Sequence, residues 1–567
     1  MSSLQHLIRG YALKNAVKHG GIARAESILA MIMSDHPELR PQAKLILEIA
    51  RSIVEEVNRL SLEEQRSILA REYSELLEER VKGERAQILP HLPGAVEGRV
   101  ILRFAPNPDF YIHLGNARPA IICSEYAKMY KGKMILRFED TDPKTKTPLK
   151  EAYEAIREDL RWLGVSWHEE YVQSLRLEIY YDMMRKMIER GCAYVDLCGE
   201  EGKKLLAIGS YCKDRDNSVE WHLEQFSRML NGYYGEREAI VRIKTDPKHP
   251  NPSIRDWIAL RIIDTDKYPH PIVGSKYIVW PLYNYSVSVD DHLMGITHVI
   301  RGREHEVNTE KQLYIYKCMG WEPPIFIHTG RLKLEGFILS KSKIRDLLSK
   351  HPEEFLGYND PRFGTIAGLR RRGILVEAIR EVILATGIKE TDATISWANL
   401  ASINRRILDS IADRLMFVHE TEEYTYVGDC IDAEIPYHPD KPERKRKIRV
   451  CNGDKIYINK SDATLEEFRL MGLANVRRDG NKLIMISKSL DYTRQRKLQI
   501  IQWVPASQAQ KLVVYEPEGL KLNKIEGFVE PTIREYGVDS RLQLVRFGFI
   551  RIDSINDSEY RAILTHS

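Results

Sequence analysis

The stretch Arg103-Phe-Ala-Pro-Asn-Pro-Asp-Phe-Tyr-Ile-His-Leu-Gly-Asn-Ala-Arg118 constrains the chain more than any other. Ile101 and Leu102 lead into it as a short apolar strand. Pro106 and Pro108 exclude a helix there, because each lacks an N–H and restrains its predecessor. Beyond Gly115 the run Ala117 to Tyr130 has helical spacing, with apolar Ile121, Ile122, Tyr126 and Met129. Strand, tight turn and helix put His113, Gly115 and Asn116 at a helix N-terminus, where free N–H groups and the positive dipole end suit phosphates. Gly115 lets backbone approach a flat ligand, and His113 can donate to phosphate oxygens. Alone, the pattern is equally an ordinary strand-to-helix loop with a solvated histidine.

A second stretch, Glu335-Gly-Phe-Ile-Leu-Ser-Lys-Ser-Lys343, answers the first. Together they resemble the HIGH and KMSKS signatures of class I aminoacyl-tRNA synthetases. The surrounding Arg-Phe-Ala-Pro-Asn-Pro and Arg137-Phe-Glu-Asp-Thr-Asp142 resemble the glutamyl/glutaminyl branch. The resemblance implies an α/β fold: a Rossmann-type catalytic domain with an acceptor-binding insertion, flanked by a helical N-terminal extension, a helical stem-contact region and C-terminal β-barrel anticodon-binding domains.

The 567 residues suffice for several domains, each with its own core. No run approaches the ~20 apolar residues of a membrane span, and the N-terminus lacks a secretory h-region. The seven cysteines, odd in number, suggest no disulfide framework, so a reducing cytoplasm is the expected location. With 85 basic against 81 acidic residues, net charge neither demands nor excludes nucleic acid.

Residues 1–94 read as a helical extension. Ala43, Leu45, Ile46, Ile49, Ala50, Ile53 and Val54 share a broad face, and Ser61 with Glu64 has capping-box spacing. Residues 95–190 alternate strand and helix, the pattern of a doubly wound parallel sheet. In 191–275 helical signals weaken, consistent with an insertion. Residues 276–345 return to the catalytic fold, 346–415 are helical, and 416–567 carry short alternating runs typical of barrels. Leu498-Gln-Ile-Ile-Gln-Trp-Val and Leu544-Val-Arg-Phe-Gly-Phe resemble glutaminyl-type anticodon barrels. A glutamate-type front joined to rear barrels resembles the archaeal/eukaryotic glutamyl form.

The resemblance implies ATP-dependent activation of L-glutamate and its transfer to tRNA(Glu), with charging of tRNA(Gln) left open. His113, Asn116 and Lys341 are the expected catalytic residues. His113, Gly115, Asn116, Ser340, Lys341 and Ser342 are the expected nucleotide contacts. Asn116 departs from the motif's final His, and Ile338 and Leu339 replace its first Lys and Met, which leaves Lys341 as the clamp. Arg103, Ala105, Asn107, Glu139, Tyr283 and Arg301 are the expected glutamate contacts, with Arg103 and Arg301 on its carboxylates and Glu139 on its ammonium. Mg²⁺ is implied as counter-charge for three phosphates. No zinc site is expected, because Cys192, Cys198, Cys212 and His222 include no closely paired cysteines. A monomer is the family's habit.

Arg301 has a plain alternative as a structural ion pair with Glu304 or Glu306. The basic runs Arg370–Arg372, Arg405–Arg406 and Arg444–Lys447 fit either RNA phosphates or a solvated surface. Trp503, Tyr515, Phe547 and Phe549 could stack bases, with the core the better place for Trp503. The rival readings are a glutaminyl enzyme, which Arg301 opposes, a non-catalytic RNA-binding relative, and a dinucleotide-forming nucleotidyltransferase, which would be far shorter.

Overall fold

The computed structural model describes residues 3–18, 20–35, 37–73, 89–556 and 559–567. Two compact units emerge, Met1–Ile88 and Leu89–Ser567. In the first, helices Ser3–Lys18, Ala25–Asp35, Ala43–Val57 and Leu62–Glu72 bury one another's apolar faces. The expected stripe of the third helix is only partly inside: Ile46, Ala50 and Ile53 are buried, whereas Leu45 is exposed. Ser61 and Glu64 form the expected capping box. The helical reading of residues 74–88 lies outside the described residues.

In the second unit, strands Ile101–Phe104, Lys133–Phe138 and Glu169–Val172 pair in parallel, with Ile101 opposite Lys133 and Ile135 opposite Glu169. Strands His298–Gly302 and Ile325–Thr329 form a second parallel pair. The pairs join where the Thr297 N–H bonds Ile101 O at 2.9 Å. The strand order therefore reverses between 101–104 and 298–302. In an open α/β sheet, ligands bind beyond the carboxyl ends of the strands at such a switch point. Helix Leu114–Met129 follows the first strand. It is anchored by Arg118, whose buried guanidinium donates to the carbonyls of Gly330, Gly387 and Lys389.

Residues 191–275 are more regular than the sequence indicates. An antiparallel sheet of Ala193–Asp196, Ile240–Ile243, Ile258–Ile262 and Val279–Pro281 carries helices Gly199–Ala207 and Val219–Leu230. The second helix buries His222, Gln225, Phe226 and Met229, a periodic face diluted by polar residues.

Six of the seven cysteines form disulfides, Cys192–Cys318, Cys198–Cys212 and Cys430–Cys451, and only Cys123 stays free. This overturns the expectation of no disulfide framework. The first partners are 126 positions apart, and folding alone brings their Cα atoms to 5.9 Å. Asp196, Cys198, Cys212 and Asp214 gather within 4.8 Å, as metal ligands would. Their sulfurs are bonded to each other, and Asp196 is engaged by the Arg242 guanidinium.

The rear holds two seven-stranded sheets. Edge strands Asp413–Leu415 and Phe417–His419 of one sheet are separated in sequence only by Met416, so that sheet curls closed. Gln502 and Trp503 likewise join the edges Ile500–Ile501 and Val504–Pro505 of the other. Closure removes exposed edges. Trp503 is fully buried, as expected for core, and Phe549 is also buried.

Asn404 lies inside helix Trp397–Asp409. Its fully buried amide accepts from the Leu375 N–H. The basic runs are largely structural. Arg371 pairs with Asp553, Arg372 stacks over Trp397 and bonds the Thr565 and Pro517 carbonyls, and Arg446 is buried against Glu530. Arg406 pairs with Glu381, and Arg444 with Asp413. Arg370 and Arg405 remain on the surface.

Burial lowers the pKa of His222 and of His566 to about 4. In the unfolded chain both titrate near 6.5, so acid protonates the unfolded state first. Stability from these neutral imidazoles is full above about pH 6.5 and falls as pH drops toward 4, by about 2 kcal/mol per histidine at pH 5. Urea midpoints at pH 7 and 5 should show the fall, and His222→Gln should lose its share of that slope.

Candidate active site

A cavity of about 1280 Å³ opens at the switch point. Its walls include Arg103, Ala105, Asn107, His113, Gly115, Asn116, Glu139, Tyr283 and Arg301. Nine sequence-derived candidates from three separate regions thus meet in one space. Ser340, Lys341 and Ser342 are not on its walls; the loop contributes Leu339.

His113 is the N-cap of helix Leu114–Met129. Its Nδ1 accepts from the Gly115 N–H at 3.1 Å, and the Asn116 carboxamide oxygen accepts the His113 N–H at 3.4 Å. Burial, with the charge of Lys341, lowers the imidazole pKa to about 4. The ring is therefore neutral at pH 7, with its proton on Nε2, the tautomer that donates to an anion. A Cβ on Gly115 would sit 2.9 Å from the imidazole Cε1, so glycine is what admits the ring in this pose.

The loop after strand Leu332–Leu334 is stitched to this turn through residues 363–366. The Leu114 N–H bonds Gly364 O, the Gly364 N–H bonds Ile338 O, and the Ile366 N–H bonds Ile112 O. Lys341 starts helix Lys341–Lys350, and its ammonium lies 2.5 Å from Asp109.

Opposite the histidine lies a buried cluster of charge. Arg103 Nε donates to Asp291 at 3.2 Å, and Arg137 donates to Asp291 at 2.7 Å and to Glu139 at 3.1 Å. Arg176 pairs with Asp290, which also accepts from Tyr180 and Gln173. Arg103 and Arg137 hold the Asp291 carboxyl below its usual range despite burial, whereas burial outweighs them at Glu139 and raises its pKa.

Arg301 differs. It is 6% exposed, and its guanidinium donates only to neutral oxygens: Tyr283 Oη at 3.3 Å, Thr309 Oγ1 at 2.6 Å and Gln312 Oε1 at 3.0 Å. Its Nε has no partner. Among the described residues it has no ion pair, so the alternative pairing with Glu304 or Glu306 does not form. Burial without a counter-ion lowers its pKa. Arg103, Arg137 and Arg176 are matched by Asp290, Asp291 and Glu139, which leaves the charge of Arg301 over. Burial together with Arg301, Arg103 and Lys146 lowers the pKa of nearby His305 to about 4. An enclosed surplus cation calls for an anionic ligand.

The sequence reading missed Asp291, Arg137, Thr309, Gln312 and Asp109. The consecutive acids Asp290-Asp291 in the otherwise apolar Val-Ser-Val run were the available signal, because buried carboxylates require buried cations. Thr309 and Gln312 sit on the solvent-spaced helix Glu306–Met319 and carried no such mark.

Three family models match the chain in tandem. These are tRNA synthetases class I (E and Q), catalytic domain, over residues 99–410, and two anticodon-binding domains of the same class over 412–489 and 500–553. Among curated proteins, "Glutamate--tRNA ligase" of Aeropyrum pernix is 60% identical, covering 99% of each chain. That of Sulfurisphaera tokodaii is 49% identical over the whole of both chains. That of Hyperthermus butylicus is 49% identical over 96% of this chain and 97% of its own. The chain belongs to the class I tRNA synthetases of the glutamate and glutamine branch, in the family of these glutamate–tRNA ligases.

Proposed function

We propose that the chain activates L-glutamate with ATP and transfers it to the 3′ end of tRNA(Glu). In the first step a glutamate carboxylate oxygen attacks the α-phosphorus and pyrophosphate leaves. In the second a terminal ribose hydroxyl attacks the acyl carbon and AMP leaves. Neither step needs a covalent bond to the protein, which has to align reactants and stabilise charge on the phosphate.

The uncompensated guanidinium of Arg301 carries this reading. Glutamate brings two carboxylates and one ammonium, a net single negative charge that matches the surplus positive charge. Glutamine is neutral and would leave Arg301 buried and unmatched, at a cost of several kcal/mol. Arg301 takes the side-chain carboxylate with Tyr283 beside it. Arg103 favours the other carboxylate, Glu139 accepts from the ammonium, and Ala105 and Asn107 line the wall. The neutral His113 donates from Nε2 to phosphate oxygens, Asn116 supplies a second donor, and Gly115 leaves room for the base. Lys341, with the Ser340 and Ser342 hydroxyls, clamps the β/γ-phosphates.

Among the described residues no cage of carboxylates surrounds the phosphate end, so Mg²⁺ fits as an ion carried on phosphate oxygens. Bound there, it would neutralise phosphate charge. The anticodon-binding matches support tRNA as acceptor. The cytoplasm as the place of charging and a monomer as the working form are part of the proposal. Charging purified tRNA(Glu) and tRNA(Gln) with labelled glutamate tests the reading. Glutamyl ester on tRNA(Glu) is expected, and ester on neither tRNA would refute it.

A further inference from the structure

We propose that Asp109 is the resting counter-ion of Lys341, holding its ammonium away from the cavity until a triphosphate takes it over. This rests on the reading of Lys341 as the phosphate clamp.

The pair joins residues 232 positions apart at 2.5 Å, with Asp109 side-chain exposure 5% and Lys341 exposure 45%. The carboxylate is fixed and the cation is the partner that can leave. Asn107 Oδ1 accepts the Asp109 N–H at 3.1 Å, which sets the turn. The adjoining Phe110 packs with Ile344 of the lysine's own helix and with Phe355 and Phe363. Arg345 lies 5.5 Å over the Phe110 ring. The loop is therefore seated on the segment that carries Asp109, and the ion pair closes that seat. Neither Asp109 nor Lys341 lines the cavity, although the lysine's charge is felt at His113 on its wall. To act in the cavity, the lysine side chain has to swing away from Asp109. A polyphosphate offers more negative charge than one carboxylate, so it wins the lysine, but it must first displace Asp109.

The experiment is ATP–pyrophosphate exchange with glutamate and tRNA on full-length protein, titrating ATP. Asp109→Asn removes the charge and keeps the shape. KM for ATP should fall about fivefold, the worth of a part-exposed ion pair, with kcat undiminished. In the Lys341→Ala background the same substitution should leave KM unchanged. A KM that is unchanged or raised, or the same fall without the lysine, overturns the proposal. A second measurement needs no variant and no activity. In the ligand-free protein, amine acetylation read by mass spectrometry should modify Lys341 more slowly than Lys343, and MgATP should change the Lys341 rate. Equal rates for the two lysines in the ligand-free protein would refute the latch. If Lys341→Ala leaves exchange intact, the clamp reading fails, while the acetylation result still decides whether Asp109 holds the lysine.

Discussion

Arg301→Gln should lower kcat/KM for glutamate by about 10²–10⁴, the cost of losing one partner of a desolvated charge pair. The same substitution should not lower the melting temperature. In the ligand-free protein Arg301 has no counter-ion, so its removal relieves an uncompensated buried charge. A structural ion pair would behave in the opposite way, losing stability with activity. Gln312 and Thr309 would lose their donor, which the new carboxamide partly replaces. Steady-state charging kinetics and a thermal melt on the same preparations check both halves. A melting temperature that falls together with activity would place Arg301 in the scaffold instead.

Lys341→Ala should slow glutamate activation by about 10²–10³, comparable to deleting one preorganised donor at a developing charge. The loss should fall on kcat, with KM for glutamate nearly unchanged, because the lysine is absent from the cavity walls at rest and, as the proposed clamp, would act on phosphates. Single-turnover adenylate formation measures this directly. Loss confined to KM for glutamate would mean that the loop acts on the amino-acid pocket.

What could be read in the sequence follows how local each feature is. The motif turn was legible because Pro106, Pro108 and Gly115 dictate backbone within a few positions. The barrels were legible from alternation, and Arg301 from its place in a matching block. The charge cluster was not, since Arg103 and Asp291 lie 188 positions apart and meet only when strand and helix pack. Separations of 232 and 126 positions likewise hid the Asp109–Lys341 pair and the Cys192–Cys318 disulfide. The run Arg370–Arg372 shows the limit in the other direction. Local charge fitted either a phosphate track or a solvated face, yet Arg371 and Arg372 face the last sheet, and only Arg370 faces solvent. A basic triplet on a helix divides its members among different faces, and only packing decides which are free.

ATP–pyrophosphate exchange in the presence of tRNA, with L-glutamate compared against L-glutamine, tests most directly whether a lone buried guanidinium selects an acidic amino acid. Glutamate should support exchange at least about 10³-fold better in kcat/KM, because the neutral amide leaves Arg301 without its counter-charge. Equal or better exchange with glutamine would contradict the assignment of Arg301 as the selecting group.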